Sequence, residues 1–216
     1  KCDSCGKCGR LCQYSAITLI AGKVMTFPQL CHHCGGCWLV CPTGAITEKA
    51  EEIGVVEEGR SPDVRFVHGR LKVGVPTAVP LLRAVMKRVD AGINILDAPP
   101  GTACPVVETV KDADFCILVT EPTPFGLNDL KLAVEMLRLL GVPFAVVINR
   151  ASTGDSGVAE YLKAERIGLM AEIPDDRRVA ESYSRGECVI DSVGGMDEVF
   201  NRICDAVVAA GKVALG

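Results

Sequence analysis

No stretch of this 216-residue chain reaches the ~18 consecutive apolar residues that suggest a membrane-spanning helix, so none of it is expected to cross a bilayer. These residues show no signal-peptide pattern either, and none is expected: Lys1-Cys2 is not a charged segment followed by an apolar one. No initiator Met stands there, and further sequence is expected upstream of Lys1. Clusters of Lys and Arg are also absent. The net charge of −4 and a pI near 5.5 speak against a nucleic-acid surface. Disorder is excluded by a composition that is 49% hydrophobic and 23% charged. The length is comfortable for two domains.

Cysteine is what the chain has in excess. Of its 12 cysteines, eight fall in the first 41 residues, in two copies of one spacing. Both read C-x-x-C-x-x-C-x-x-x-C: Cys2, Cys5, Cys8 and Cys12, then Cys31, Cys34, Cys37 and Cys41, the second followed by Pro42. Disulfide staples serve small secreted domains that cannot bury enough surface. Most of this chain reads instead as an ordinary apolar α/β core, so thiolate ligands in a reducing compartment, the cytoplasm, are the better explanation.

The doubled run is the ligand pattern of bacterial two-cluster ferredoxins, in which the fourth cysteine of each run reaches the other cluster. Three thiolates two residues apart can hold three irons of one cubane, and the fourth follows a longer step where the chain turns helical. On that rule one [4Fe-4S] cluster takes Cys2, Cys5, Cys8 and Cys41, and the second takes Cys31, Cys34, Cys37 and Cys12. Gly6, Gly9, Gly35 and Gly36 let the backbone pass close to an inorganic core. "SAITLIAGKVMTF" and "GAITEKAEEIGVV", after the two runs, fit the paired strands of a small ferredoxin-like α+β domain over residues 1–58. Zinc also binds C-x-x-C pairs, but needs only four ligands and rarely takes two matching quartets. His32 and His33 read as loop side chains in solvent, since neither quartet has a gap to fill. Trp38, the only tryptophan, reads as packing beneath the clusters.

From about residue 59 the composition changes. "RFVHGRLKVG" leads as a strand or hairpin into a helical "TAVPLLRAVMKRVDAG". Strands are then expected at 93–97, 115–122, 143–150 and 167–174, with helices over 125–141 and 156–166, in "RRVAESYSRG" and in "GMDEVFNRICDAVVAAGKVAL". Apolar strands alternating with helices predict a mostly parallel, doubly wound α/β sheet over residues 59–216. Ligands bind at the carboxyl ends of such strands. There stand "LDAPPGTACP", "TEPTPFG", "NR" and "PDD". Taken singly these are weak, because Asp, Asn, Pro and Gly also end strands for turn reasons.

"ILDAPPGTACPV", "VTEPTPFGLNDLKLAVE", "VVINR" and "IPDDRRVAESYSRG", in that order, resemble the MinD/ParA-type P-loop ATPases. More narrowly they resemble the subgroup that carries a two-cluster ferredoxin inserted into the ATPase domain. The resemblance implies that Asp97 is the Walker B or switch II aspartate acting on Mg²⁺, and that Gly101 is the switch glycine sensing the terminal phosphate. It implies that Asn149, Arg150, Pro174 and Asp175 lie where the adenine of ATP is held, and that the working form is a homodimer. The family's deviant Walker A loop, Gly-Lys-Gly-Gly-x-Gly-Lys-Ser/Thr, is absent from these 216 residues. In the family that loop and its strand precede the ferredoxin insert. The expectation is therefore a partial sheet whose P-loop strand lies upstream of Lys1, with ATPase activity only if it does. Cys104 lies seven residues after Asp97, the offset of a bridging-cluster ligand in the nitrogenase iron protein, a relative by fold. No partner cysteine lies between residues 59 and 96, which favours a structural thiol. Cys116 and Cys204 read as small core hydrophobes, and Cys188 follows a Gly-Glu turn.

The leading functional expectation is electron transfer by two [4Fe-4S] clusters to a redox partner, under nucleotide control. A cluster assembly or carrier ATPase of the Mrp type is the alternative. A MinD-like positioning role needs a basic amphipathic tail, and "NRICDAVVAAGKVALG" carries too few positive charges. A ferredoxin fused to an inert α/β scaffold completes the set.

Overall fold

A computed structural model describes residues 1–214, with side chains to residue 210; the last two residues of the expected C-terminal helix and tail lie outside the described residues. The chain divides into two compact units, Lys1–Leu96 and Asp97–Gly216.

The first unit opens with helix α1 (Lys7–Leu11), the hairpin β1 (Ile17–Ile20) and β2 (Lys23–Thr26), a 3-10 turn at Pro28–Leu30 and helix α2 (Gly36–Leu39). "SAITLIAGKVMTF" thus forms its own antiparallel hairpin, pairing Ile17 with Thr26 and Ile20 with Lys23. Residues 45–53 form no strand. "GAITEKAEEIGVV" becomes regular only at its end, where β3 (Gly54–Arg60) pairs antiparallel with β4 (Arg65–Leu71). The two strands match over all seven positions, and a hairpin this short in its loop outcompetes a distant partner. The division expected at residue 58 falls inside β3. Helix α3 (Val79–Met86) follows, with Leu81 buried. Arg65 on β4 ties Glu58 on β3 (3.0 Å) to Asp90 (2.6 Å) after that helix.

The strand expected over 93–97 does not form, and its isoleucines are not buried. Ile93 and Ile95 are 89% and 92% exposed, and no strand pairs with this segment. Alternation of apolar residues fixes what a strand would bury, not whether a neighbouring backbone is there to bond it.

The second unit holds a three-stranded parallel sheet in the order β5 (Cys116–Thr120), β6 (Phe144–Ile148), β7 (Leu169–Glu172). Helices α4 (Cys104–Val110), α5 (Pro124–Leu140), α6 (Gly157–Glu165), α7 (Arg177–Ser184), α8 (Val189–Ser192) and α9 (Met196–Ala214) complete it. The helix α5 starts and stops where its sequence says. The Thr123 hydroxyl caps the amide of Gly126 at 3.0 Å with Pro124 at the first turn, and Gly141 ends the helix in the left-handed region at φ 71°.

Strand alternation sends the residues of β6 to two cores. Val146 and Ile148 pack with Leu130 and Val134 of α5 and with Val158 and Leu162 of α6. Val147 points the other way, to Ala171 of β7 and Val199 of α9. Helices therefore cover both faces of the middle strand. A third cluster joins Val106 and Val110 of α4 to Leu137 and Val142. Cys116 is half-buried in β5, as expected of a core thiol, whereas Cys204 is exposed. On α9, Val199 and Ile203 face the sheet, and the position next round the helix from Ile203 turns away. Among the described residues no helix is long and apolar enough to cross a membrane.

Leu137 has no exposed surface, while Leu139, two residues on, is 89% exposed. Leu137→Ala is expected to lower the stability of this unit by about 2–5 kcal/mol, and Leu139→Ala to change it by less than about 0.5 kcal/mol. Urea melts followed by circular dichroism check the contrast.

Candidate functional site

The two cysteine runs repeat in backbone as well as in spacing. In each, the residue before the second cysteine is left-handed, Ser4 at φ 57° and His33 at φ 54°. In each, the glycine after it is left-handed too, Gly6 at φ 73° and Gly35 at φ 75°. Helices α1 and α2 start directly after those glycines. Alternating hand in successive residues turns amides toward one concave side, a form that binds anionic and iron–sulfur groups. Glycine is the residue that takes such a φ without steric cost.

Cys2, Cys5, Cys8 and Cys41 line one cavity of about 130 Å³, walled on its apolar side by Val24 and Ile46. Three ligands of the first run and the last of the second are thus brought together, the crossed set that the spacing implied. Amides already address the sulfurs: that of Ser4 lies 3.4 Å from Cys2 Sγ and that of Ala45 3.3 Å from Cys41 Sγ. The Ala45 amide and the Thr43 hydroxyl, 3.6 Å away, lower the Cys41 thiol from its ordinary value. Such donors favour the thiolate, the form that ligates metal. Among the described residues no three His, Cys, Asp or Glu side chains converge on a point for a single metal ion; these sulfurs are spread around a cavity wall. Four thiols around one cavity, with amides aimed at two of them, fit an iron–sulfur cube.

The second set is held differently. Burial pushes up the Cys37 thiol; the amides of Trp38 and Cys37 partly offset it, and the charges of Cys31 and Cys34 add to the rise. Burial acts most on Cys12, raising its thiol, but the combined amides of Ile17, Tyr14, Ala16 and Ser15 outweigh it and the net shift is downward. Cys12 is bracketed by two contacts to the second run. Leu11 lies on α2 so closely that a Cβ on Gly36 would stand 2.8 Å from its Cδ2. On its other side, Tyr14 stacks on His32 with ring centroids 3.5 Å apart and planes 5° from parallel. His32, expected as a solvated loop side chain, is thus held by a ring from the other run. Spacing within a run gives no sign of a contact between runs. Trp38 is half-exposed, so it does not lie wholly beneath the cysteines.

At the carboxyl ends of the parallel strands the structure gathers four of the six nucleotide candidates. Asn149, after β6, donates its amide to Thr120 at the end of β5 (2.7 Å). Arg150, left-handed at φ 54°, donates from Nε to Asp175 at 2.9 Å, beyond Pro174 at the end of β7. Its Nη1 stands 3.8 Å from Glu121, after β5. The hydrogen bond to Asp175, then the charges of Asp175 and Glu121, hold the Arg150 guanidinium above its ordinary value. The Ser152 hydroxyl accepts from the Asp175 amide at 2.9 Å. Glu121 and Ser152 join the group unannounced, although Glu121 directly follows a strand, which is the available signal. Asp97 and Gly101 are not brought to it: they lie in irregular backbone before α4 and make no hydrogen bond or ion pair among the described residues. Cys104, at the start of α4, is exposed.

Residues 1–46 match the 4Fe-4S dicluster domain. An uncharacterized protein of Methanocaldococcus jannaschii is 29% identical over 199 residues, 89% of this chain and 70% of that protein. A second uncharacterized protein of the same organism is 36% identical over 152 residues, 69% of this chain and 53% of its own length. The iron-sulfur cluster carrier protein of Aquifex aeolicus is 28% identical over 113 residues, 45% of this chain and 31% of that protein. The chain thus spans about half of the second relative and about a third of the carrier protein. It carries an iron–sulfur binding domain and is homologous, at low identity, to iron-sulfur cluster carrier proteins.

The crossed cavity makes a prediction about which ligands act together. In anaerobically loaded protein, Cys41→Ser and Cys8→Ser are each expected to remove the same four irons, and the double variant no more. Cys41→Ser with Cys12→Ser is expected to remove both sets. Iron and sulfide analysis with electron paramagnetic resonance of the reduced protein reads the outcome.

Proposed function

We propose that this chain is an electron-transfer protein in which two [4Fe-4S] clusters, one on Cys2, Cys5, Cys8 and Cys41 and one on Cys31, Cys34, Cys37 and Cys12, pass electrons to a partner protein under the control of bound ATP. The observation that carries the reading is the cavity to which Cys41 adds the fourth thiol of the first run. A complete thiolate quartet suits a permanently held cluster, whose chemistry when bound is one-electron transfer at a potential set by its surroundings. The protein's part is to hold the thiolates, aim amides at the sulfurs and keep water from the apolar wall of Val24 and Ile46.

The nucleotide half rests on the resemblance of the strand ends described above to those of the MinD/ParA-type ATPases with an inserted two-cluster ferredoxin. Residues 59–216 would serve as a doubly wound nucleotide domain, with helices on both faces of β6 in support. Asn149, Arg150, Pro174 and Asp175 would hold the adenine, and Asp97 and Gly101 would act on Mg²⁺ and the terminal phosphate once brought to it. We assign the working form to a homodimer in the cytoplasm, acting on neither nucleic acid nor membrane.

The iron-sulfur cluster carrier relatives favour a second reading, in which the chain delivers clusters rather than electrons. Two experiments separate them. Reductive titration of the clusters with and without Mg-ATP is expected to give different potentials, and identical curves would remove the coupling. Incubation with an apo-ferredoxin is expected to leave eight irons on the chain; transfer of iron and sulfide would replace electron transfer with carriage. Arg150→Ala is expected to weaken Mg-ATP binding to the native gene product by about tenfold, the loss typical of one charge-assisted contact, and calorimetry checks it.

A further inference from the structure

The two cysteine runs share a backbone, but the side chains at matching places differ. Asp3 in the first run corresponds to His32 in the second, each directly after the opening cysteine, and Thr43 corresponds to Tyr14, each two residues after the closing one. Around the first quartet both positions act within their own run. Asp3 accepts from the Cys5 amide at 3.2 Å, and Thr43 lies 3.6 Å from Cys41 Sγ. Around the second quartet the two positions meet each other, as the Tyr14–His32 stack. Tyr14 follows the crossing ligand Cys12 and His32 follows Cys31, so the stack joins the two segments that the second quartet must bring together.

We infer that the Tyr14–His32 stack is a clasp that holds Cys12 against Cys31, Cys34 and Cys37, and that the second cluster depends on it while the first does not. The inference rests on the two-cluster reading above. Its physical basis is loop closure: Cys12 and Cys31 are separated by the β1–β2 hairpin, and their approach costs chain entropy unless a contact offsets it. Leu11 on Gly36 supplies one such contact on the near side of Cys12, and the ring pair supplies the other. The first quartet needs no ring pair, because the Ala45 amide and the Thr43 hydroxyl fix Cys41 within its own segment. Tyr14 and His32 are therefore positioning residues. The stack requires flat rings and not the phenol hydroxyl.

The test uses the full chain, loaded anaerobically, as wild type, Tyr14→Phe, Tyr14→Ala and Thr43→Ala. The readout is the time course of iron capture by an excess of a chromogenic chelator, with the spin count of the reduced protein taken alongside. Tyr14→Ala is expected to release half of its iron about three- to tenfold faster than wild type, the range an aromatic pair can account for, and to lose half of the spin count first. Its remaining iron is expected to leave at the wild-type rate. Tyr14→Phe is expected to match wild type throughout, and Thr43→Ala to spare the half that Tyr14→Ala exposes. Unchanged release in Tyr14→Ala, or equal acceleration of both halves, would overturn the clasp and leave the two-cluster reading standing. A wild-type chain that loads fewer than two clusters would overturn that reading and the clasp with it.

Discussion

The approach of α1 to α2 is the constraint on which the candidate metal centre depends. Neither run of cysteines makes a site by itself, because the fourth thiol around the first cavity is Cys41 of the other run. The runs must meet before either quartet is complete. Leu11 pressed onto Gly36 sets that meeting, and the Tyr14–His32 stack adds a second contact, beside Cys12 and the second run alone. A side chain at position 36 would force Leu11 away, so this glycine acts through the room it leaves.

Much of this was legible in the sequence, and what was not has a common cause. The repeat of one cysteine spacing implied a repeat of backbone, and the left-handed pairs Ser4 and Gly6, His33 and Gly35 bear that out. Strands β5, β6 and β7 and helices α5, α6, α7 and α9 stand where apolar periodicity put them, because each is local and its burial is decided by its own pattern. The segments 45–53 and 93–97 also carry spaced apolar residues and form no strand. A strand is completed by a partner, and the identity of a partner is not written in the segment itself. Ring stacking between Tyr14 and His32, and the joining of Glu121 to Arg150, belong to the same class. They are contacts between distant stretches, each of which looks unremarkable alone.

At the strand ends of the second unit, geometry gives the resemblance a physical shape. Parallel strands place their following residues on one edge of the sheet. Glu121, Arg150 and Asp175 meet there because β5, β6 and β7 are neighbours in that order, although 54 positions separate the first from the last. The Arg150 guanidinium lies between two carboxylates and stays charged under all ordinary conditions. Its side chain is half-exposed, so water screens these pairs and they orient the group more than they stabilise the fold. An oriented cation beside a strand end is a feature that a phosphate-bearing or purine ligand can use. Asp97 stands outside the group, in backbone with no regular bonds to hold it.

The chemistry of the metal centre follows from the unequal surroundings of two similar quartets. Potentials of iron–sulfur clusters respond to hydrogen bonds at sulfur, to nearby charge and to solvent. The first quartet has an aspartate carboxylate beside Cys5, amides on two of its sulfurs and apolar side chains, Val24 and Ile46, along its cavity. The second has a stacked ring pair beside its crossing ligand and a half-exposed Trp38 within the run. Carboxylate charge disfavours adding an electron, whereas amides at sulfur favour it, so the first site sets two opposing influences against each other. The second lacks the carboxylate at the matching place, where His32 stands instead. On the proposed two-cluster reading, settings so unlike would give the clusters different potentials unless these influences cancelled, and that difference would give electron passage a direction.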